Sequence, residues 1–415
     1  MQVVLATSGK FHTFDLARQM HQRGMLRAIY TGYPCFKLRN EALPSSLIHS
    51  FPFFCLAFNV AGRVTQSQRI IRDLVWRSLD TVDRYACAIL PPCDVFVGLS
   101  CSGLYTGQKA QRRGGVYICD RGSSHIRFQD QILVEEYARH RQSFIGVDPR
   151  VVSKEEREYA AADMITVPST FVKRSFLTMG VAESKLRVIP YGVSLTRFHP
   201  VGEPDPDYFD VLFVGAASVR KGVRYLLEGF EALAHPRKRL TFVGAVLPEI
   251  KPLIAEFGQR LPITCRGHVP QPALKEIMSR SHVLVMPSIE EGLALVQAQA
   301  MACGCPVIGT TNSGAEDLLR DGVEGFVAPI RDAGAIAERL QRLADDPSLR
   351  LRMSQACLTR VQSFGGWDQY GDQMAALFSE LCGMQSHSPP PLRLDAEPDH
   401  FATRGEDALA QKGET

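Results

Sequence analysis

Residues 287–308 read PSIEEGLALVQAQAMACGCPVI, the order of residues found where a strand ends in a loop and the loop runs into a helix. The apolar run 283–286 ahead of it has strand length, Pro287 and Ser288 break it, Glu290-Glu291-Gly292 makes a turn, and an apolar helix starts near Leu295. Such a loop leaves backbone N–H groups and the positive end of a helix at the mouth of a cleft. Glu291 stands on the loop and Gln299 just over one turn into the helix, so both can face one ligand. A carboxylate there suits a ligand that bears hydroxyls, because Glu is a strong acceptor. The plain alternative is that Glu291 only complements the helix dipole.

The same strand–loop–helix unit recurs on either side. From residue 210, strands at 210–215, 240–244, 263–267, 283–286, 307–308 and 325–327 alternate with helices at 222–234, 248–257, 273–279, 295–302, 315–319 and 333–344. The first half follows the same rhythm, with strands at 3–6, 28–30, 95–99, 116–119 and 164–167. Between them lie helices over 69–90 and 155–162 and one carrying Phe14, Leu16, Ala17 and Met20. Two prolines and a glycine in RVIPYGVSLTRFHP (187–200) interrupt the alternation. The expected class is α/β, two doubly wound parallel-sheet domains at 1–190 and 210–364 joined by a linker at 191–209, with ligand in the cleft at the strand carboxyl ends. Trp367, Tyr370, Met374, Leu377, Phe378 and Leu381 recur at steps of three and four, predicting an amphipathic helix over 365–383. The Pro- and charge-rich residues 384–415 predict a disordered tail.

Bulk composition narrows the function classes. With 415 residues, 45% apolar and 22% charged, the chain has the make-up of a two-domain globular protein. A net charge of +3 is too small to argue for nucleic acid. Residues 1–120 carry 14 Lys and Arg against 7 Asp and Glu, an excess that suits an acidic substrate or an anionic membrane surface, or merely a solvated basic face. The eleven cysteines contain no Cys-x-x-Cys pair, and Cys303-x-Cys305 has no partner pair at finger spacing, so thiols of a reducing compartment are expected and no metal site. The opening MQVVLATSGKF lacks the features of a signal peptide, and the longest apolar patch, 51–60, is about half of a membrane span. The location expected is cytoplasmic, with membrane contact no more than peripheral.

Three further strand-end loops carry polar chemistry. Gly215 to Gly222 (GAASVRKG) places Arg220 and Lys221 between a strand and a helix, an arrangement that holds phosphate in α/β proteins, although adjacent cations are also common on solvated faces. It is not a Walker loop. Cys119 to His125 (CDRGSSH) places a histidine with Asp, Arg and two Ser at another strand end; His125 is there either a site residue or simply a loop histidine. On the first loop, Gly9 permits close backbone approach to a ligand, and the absence of Gly-x-Gly-x-x-Gly argues against a dinucleotide enzyme.

The stretch from Glu291 through Gln299 to Val307, together with Arg220-Lys221-Gly222, VIPYGV (188–193) and NSGAED (312–317), resembles the family 4 retaining glycosyltransferases. The resemblance implies the GT-B fold, two Rossmann-like domains facing across a cleft, with a C-terminal helix crossing back to the first. It implies that Glu291 contacts the hydroxyls of the donor sugar, that Lys221 and the adjacent Arg220 neutralise the leaving diphosphate, and that Leu293, Ala294 and Leu295 offer backbone N–H groups to it. His125 matches the histidine that approaches the transferred sugar, and Gly9 the glycine of the first loop. Gly215 belongs to the donor-binding turn. This sequence departs from the pattern at three places: Gln299 replaces a second Glu that meets the nucleotide ribose, Ala216 stands where many members have Arg, and Ser194 replaces an Asp. A Gln still offers one carbonyl acceptor, so ribose binding survives in altered form.

The activity implied is transfer of a sugar from a nucleoside diphosphate sugar to an acceptor hydroxyl with retention of configuration, without cofactor or metal. A glycan or lipid-linked acceptor is expected, and no nucleic-acid partner. Two competing readings stay open at this level: a nucleotide-sugar epimerase on the same fold, and a non-catalytic protein that binds nucleotide sugars.

Overall fold

The apolar runs become parallel strands covered on both faces. The computed structural model describes residues 1–57 and 67–386. In the first domain β1 (Val3–Thr7), β2 (Leu26–Thr31), β3 (Ile48–Ser50), β4 (Val95–Leu99), β5 (Val116–Asp120), β6 (Met164–Val167) and β7 (Leu186–Val188) form one sheet in the order β3-β2-β1-β4-β5-β6-β7. All of its pairings are parallel. Central strands β1, β4 and β5 are buried at every residue, the pattern of a sheet with helices on both faces. The two edges, β3 and β7, are three-residue strands of mostly half-buried side chains, and nothing in their composition marks them as strands beforehand.

The second domain repeats the design with β8 (Phe209–Val214), β9 (Lys238–Val243), β10 (Ile263–Cys265), β11 (Val283–Met286), β12 (Val307–Thr310) and β13 (Gly325–Ala328) in the order β10-β9-β8-β11-β12-β13. Its pairings are parallel too. In each sheet the order reverses beside the first strand, the place where ligands bind in such folds.

The carboxyl ends of the two sheets meet. The loop after β5 reaches the loop after β11 so closely that a Cβ on Gly292 would lie 1.9 Å from the Gly122 carbonyl oxygen. Ser169 Oγ donates to the Gly292 carbonyl at 2.7 Å, and Asp317 accepts from the Thr170 N–H at 3.0 Å. A buried carboxylate from the first domain, Glu136, accepts from Tyr225 Oη at 2.8 Å and Arg331 Nε at 2.6 Å, both from the second.

Helix Pro347–Gln362 packs in the second domain through Met353, Cys357 and Val361. Gly365 and Gly366 then take left-handed backbone (φ +66° and +65°), and the chain enters helix Gly366–Ser386. A Cβ on Gly192 would lie 2.2 Å from the Gly366 carbonyl carbon, so the two passages between domains touch. The last helix lays Tyr370, Met374, Leu377 and Phe378 against Val3, Leu5, Phe14 and Val97 of the first domain. Arg23 pairs with Asp372 and Arg187 with Glu380 along its flank. This helix runs into the span predicted as tail, and residues 387–415 lie outside the described residues, as do 58–66 of the apolar patch. No helix among the described residues is long and apolar enough to cross a membrane.

Phe378 is fully buried in the first-domain core, so Phe378→Ala should lower stability by about 3–5 kcal/mol. Urea unfolding followed by tryptophan fluorescence measures it; an unchanged midpoint would mean that the last helix is not part of that core.

Candidate active site

Two loops of the second domain bring its polar residues together. β8 ends at Val214, and Gly215 (φ +140°) donates its N–H to the Val243 carbonyl at 2.9 Å. Gly222 (φ +65°) caps helix Val223–Ala232, and a Cβ there would sit 2.0 Å from the Pro287 carbonyl oxygen. Only glycine lets this loop lie against the loop after β11. The Ile289 N–H donates to the Arg220 carbonyl at 2.9 Å, tying the two.

Lys221 consequently forms an ion pair with Glu291, and Arg220 Nη2 lies 3.9 Å from the same carboxylate. Both cations are partly exposed. Leu295 opens the eight-residue helix Leu295–Ala302, and Ala294 ahead of it provides no side-chain cap. Of the backbone donors expected to face a ligand, Ala294 is not free: its N–H donates to the Ser313 carbonyl at 3.2 Å, and the Leu293 and Ala294 side chains are buried. Leu295 and Gln299 instead line a cavity of about 490 Å³ between the domains, shared with Lys10, Arg18, Arg197 and Gln271. Gly9 leads into this wall, where Lys10 and Arg18 both pair with Glu41, at 2.5 and 2.8 Å. Ala216 is exposed, and Ser194 lines the cavity.

His125 does not join this group. Its ring packs 4.9 Å from both Tyr159 and Phe176, and its Nδ1 accepts the Arg127 N–H at 3.2 Å as the cap of helix Ile126–Arg139. Burial, with the Arg121 charge nearby, pushes its pKa down to about 4. The expectation that His125 approaches a sugar is therefore corrected: the ring turned inward because the helix start and the aromatic core claim it.

Another imidazole stands near the seam. His12 Nε2 donates to Asp120 Oδ2 at 2.6 Å, with Tyr191 Oη 3.3 Å away and the two rings tilted against each other at 4.3 Å. Gly122, whose carbonyl meets Gly292, lies against this ring: a Cβ there would be 3.3 Å from it. His12 was missed because no polar cluster surrounds it in the chain; its signal was the position three residues after Gly9.

The second omission is Glu290, fully buried beside Glu291. It accepts from Ser123 Oγ (2.6 Å), Ser124 Oγ (2.7 Å), Ser124 N (3.0 Å) and Gln129 Nε2 (3.0 Å), all of the first domain, and from Arg220 Nε (2.8 Å) of the second. Burial alone would raise its pKa, but the Arg220 charge and the serine hydrogen bonds outweigh it and hold the carboxyl at about 2. The loop that supplies the serines is itself anchored by Arg121, which donates to the Ser124 carbonyl (2.9 Å) and pairs with Glu155 (2.7 Å). Among the described residues no three His, Cys, Asp or Glu side chains converge as a metal site would require.

Residues 196–358 match the model of the glycosyl transferases group 1. Curated relatives include the alpha-D-kanosaminyltransferase of Streptomyces kanamyceticus, 29% identical over 41% of this chain and 45% of its own length. A D-inositol 3-phosphate glycosyltransferase of Streptomyces bingchenggensis is 30% identical over 56% of this chain and 55% of its own. The chain thus spans about half the length of the curated relatives it matches. Among solved structures, sucrose-phosphate synthase from Thermosynechococcus elongatus superposes with a TM-score of 0.72 at 21% identity, covering 92% of this chain and 100% of that one. Anabaena Alr3699/HepE, solved with UDP and glucose, gives 0.66 at 15% identity over 92% and 100%.

The lowered pKa of His125 makes an acid-stability prediction. Its folded pKa of about 4 lies below the ordinary value of 6.5, so the unfolded chain binds the extra proton first. Stability is unaffected by this group above pH 6.5 and falls as the pH drops from there toward 4. His125→Asn keeps an acceptor for the helix cap and removes the titration, so its stability should decline less steeply over that window. Thermal melts at half-unit pH intervals check this; parallel curves would remove His125 as the cause.

Proposed function

We propose, from the match of residues 196–358 to the glycosyl transferases group 1 and from the GT-B fold, a retaining glycosyltransferase that uses a nucleoside diphosphate sugar. The observation that carries this reading is the pairing of Lys221 and Arg220 with Glu291, beside a helix start, where the carboxyl ends of two parallel sheets meet. The likeness to a protein solved with UDP and glucose supports the same donor class.

In the transfer, positive charge develops on the sugar ring and negative charge on the departing diphosphate. Arg220, Lys221 and the positive end of helix Leu295–Ala302 oppose the second. Glu291 accepts from the sugar hydroxyls. Lys221 and Glu291 pair with each other, and on donor binding each turns to its own partner: ammonium to diphosphate, carboxylate to sugar. Gln299, on the cavity wall, meets the ribose through its amide. The carboxylate at the end of β5, Asp120, is taken up by His12 and by Thr166 Oγ1 at 2.9 Å. That occupation favours front-face departure, with the diphosphate taking the acceptor proton, over attack by an enzyme carboxylate. With two cations opposing the diphosphate charge, the reading needs neither metal nor cofactor.

The acceptor proposed is a glycan or a lipid-linked sugar. The basic first domain exposes Phe36, Phe53 and Leu56, which supports peripheral contact with an anionic membrane from the cytoplasmic side. Gln299 and the exposed Ala216 favour one competing reading, a protein that binds the nucleotide sugar without turning it over.

Incubation with a panel of nucleoside diphosphate sugars, following release of the nucleoside diphosphate, tests the proposal. Donor-selective turnover is expected, with Lys221→Ala lowering kcat/KM by about 10²–10³-fold, as for loss of one preorganised donor at an oxyanion site. Glu291→Ala should also lose turnover. Undiminished turnover in Lys221→Ala would overturn the assignment, and donor binding without turnover across a range of glycan and lipid-linked acceptors would favour the non-catalytic reading.

A further inference from the structure

Arg220 is shared between two carboxylates that do different things. Glu291 is partly exposed, whereas Glu290 is sealed in the seam. Arg220 Nε donates to Glu290 Oε2 at 2.8 Å and to the Glu290 carbonyl at 3.1 Å, and its Nη2 reaches Ser123 Oγ at 3.4 Å. The Glu290 carboxylate is in turn fixed by four hydrogen bonds from Ser123, Ser124 and Gln129. The acceptor that orients the guanidinium is thus itself oriented by the other domain. If the domains part, Glu290 loses four of the five donors to its carboxylate at once, and Arg220 is the one partner left to neutralise it.

We propose that Glu290 is a positioning residue that makes the presentation of Arg220 to a nucleoside diphosphate depend on contact between the two domains. Seated on the first domain, Glu290 takes the Nε edge of Arg220 and leaves the Nη edge toward Glu291 and the cleft. Released, the carboxylate recruits the guanidinium for itself, and the diphosphate site loses one of its two cations. Closure and anion binding are thereby one linked event. This rests on the reading of the cleft as a nucleoside diphosphate site.

A double-mutant comparison isolates the coupling. Ser123→Ala/Ser124→Ala lies wholly in the first domain and removes the two hydroxyl hydrogen bonds to Glu290, together with the 3.4 Å contact of Arg220 Nη2 to Ser123 Oγ. The Ser124 backbone donor remains, and Gln129→Ala, which removes the Nε2 donor to Glu290 and leaves the Arg220–Ser123 contact in place, is carried through the same comparison as a second variant. UDP binding is measured by calorimetry for wild type, Arg220→Ala, the serine variant and the combination. Arg220→Ala is expected to weaken UDP about tenfold in the wild-type background and less than about threefold in the serine background. A merely structural role of Glu290 would lower melting temperatures yet leave the two effects additive, and additivity would overturn the proposal.

Hydrogen exchange without ligand gives an independent reading. The serine variant and Gln129→Ala should each speed exchange at residues 218–222 and 287–291 of the second domain, and Arg220→Ala should speed it at 121–129 of the first. Unchanged exchange across the seam, with folded melting profiles, would overturn the coupling whatever binds. Coupled exchange with no binding of UDP or GDP would uphold the interdomain link and count against the nucleoside diphosphate reading alone.

Discussion

A carboxylate removed from water is tolerated only where donors replace its hydration, and Glu290 shows how many that takes. Five side-chain and backbone donors surround it, four from one domain and one from the other. Its neighbours in the chain place it between the Pro287–Ser288 break and the Gly292 turn, so the loop after β11 cannot shift without uncovering it. The Gly292–Gly122 approach, the Ser169 bond to Gly292 and the alignment of Arg220 all depend on that loop staying where it is. Glu136 answers it from the opposite direction, offering a first-domain carboxylate to second-domain Tyr225 and Arg331. The seam is therefore polar and directional. Its strength lies in hydrogen bonds that require correct alignment, a type of contact suited to being made and broken as a unit.

The cleft itself is built from charges held in reserve. Lys221 and Glu291 neutralise each other, Lys10 and Arg18 share Glu41, and His12 rests on Asp120. Each pair keeps an ionic group from standing alone in a partly enclosed space. A ligand carrying both anionic and hydroxyl groups can replace both halves of such a pair, and a simple anion only one. On the proposed reading, such an arrangement discriminates by requiring two kinds of contact at once.

Much of the fold was legible because buried parallel strands read as short apolar runs and their loops carry glycine. Strands with residues such as VVLAT, VLFV and VLVM were found in this way. The edge strands Ile48–Ser50 and Leu186–Val188 were not, because half-buried strands of three residues have neither length nor contrast. That Arg220, Lys221 and Glu291 lie on neighbouring strand-end loops could be read from the glycines that define those loops. His125 misled for the opposite reason: Asp120, Arg121, Ser123 and Ser124 beside it look like a catalytic cluster, yet they serve His12, Glu155 and Glu290, all distant in the chain. Which way a ring turns, and which of two adjacent acids is sealed, are decided by tertiary neighbours that no local pattern contains.

The last helix has a consequence for the order in which the chain can mature on the ribosome. β7 completes the first sheet at Val188, but Phe378, which fills that domain's core, is made roughly 190 residues later. At bacterial or eukaryotic synthesis speeds of about 5–20 residues per second, the gap is on the order of 10–40 s. Throughout it, the face formed by Val3, Leu5, Phe14 and Val97 is without its cover. The second domain, whose own strands and helices follow one another without such a debt, can finish first. The nascent protein therefore matures out of sequence, with its earliest-made half completed last.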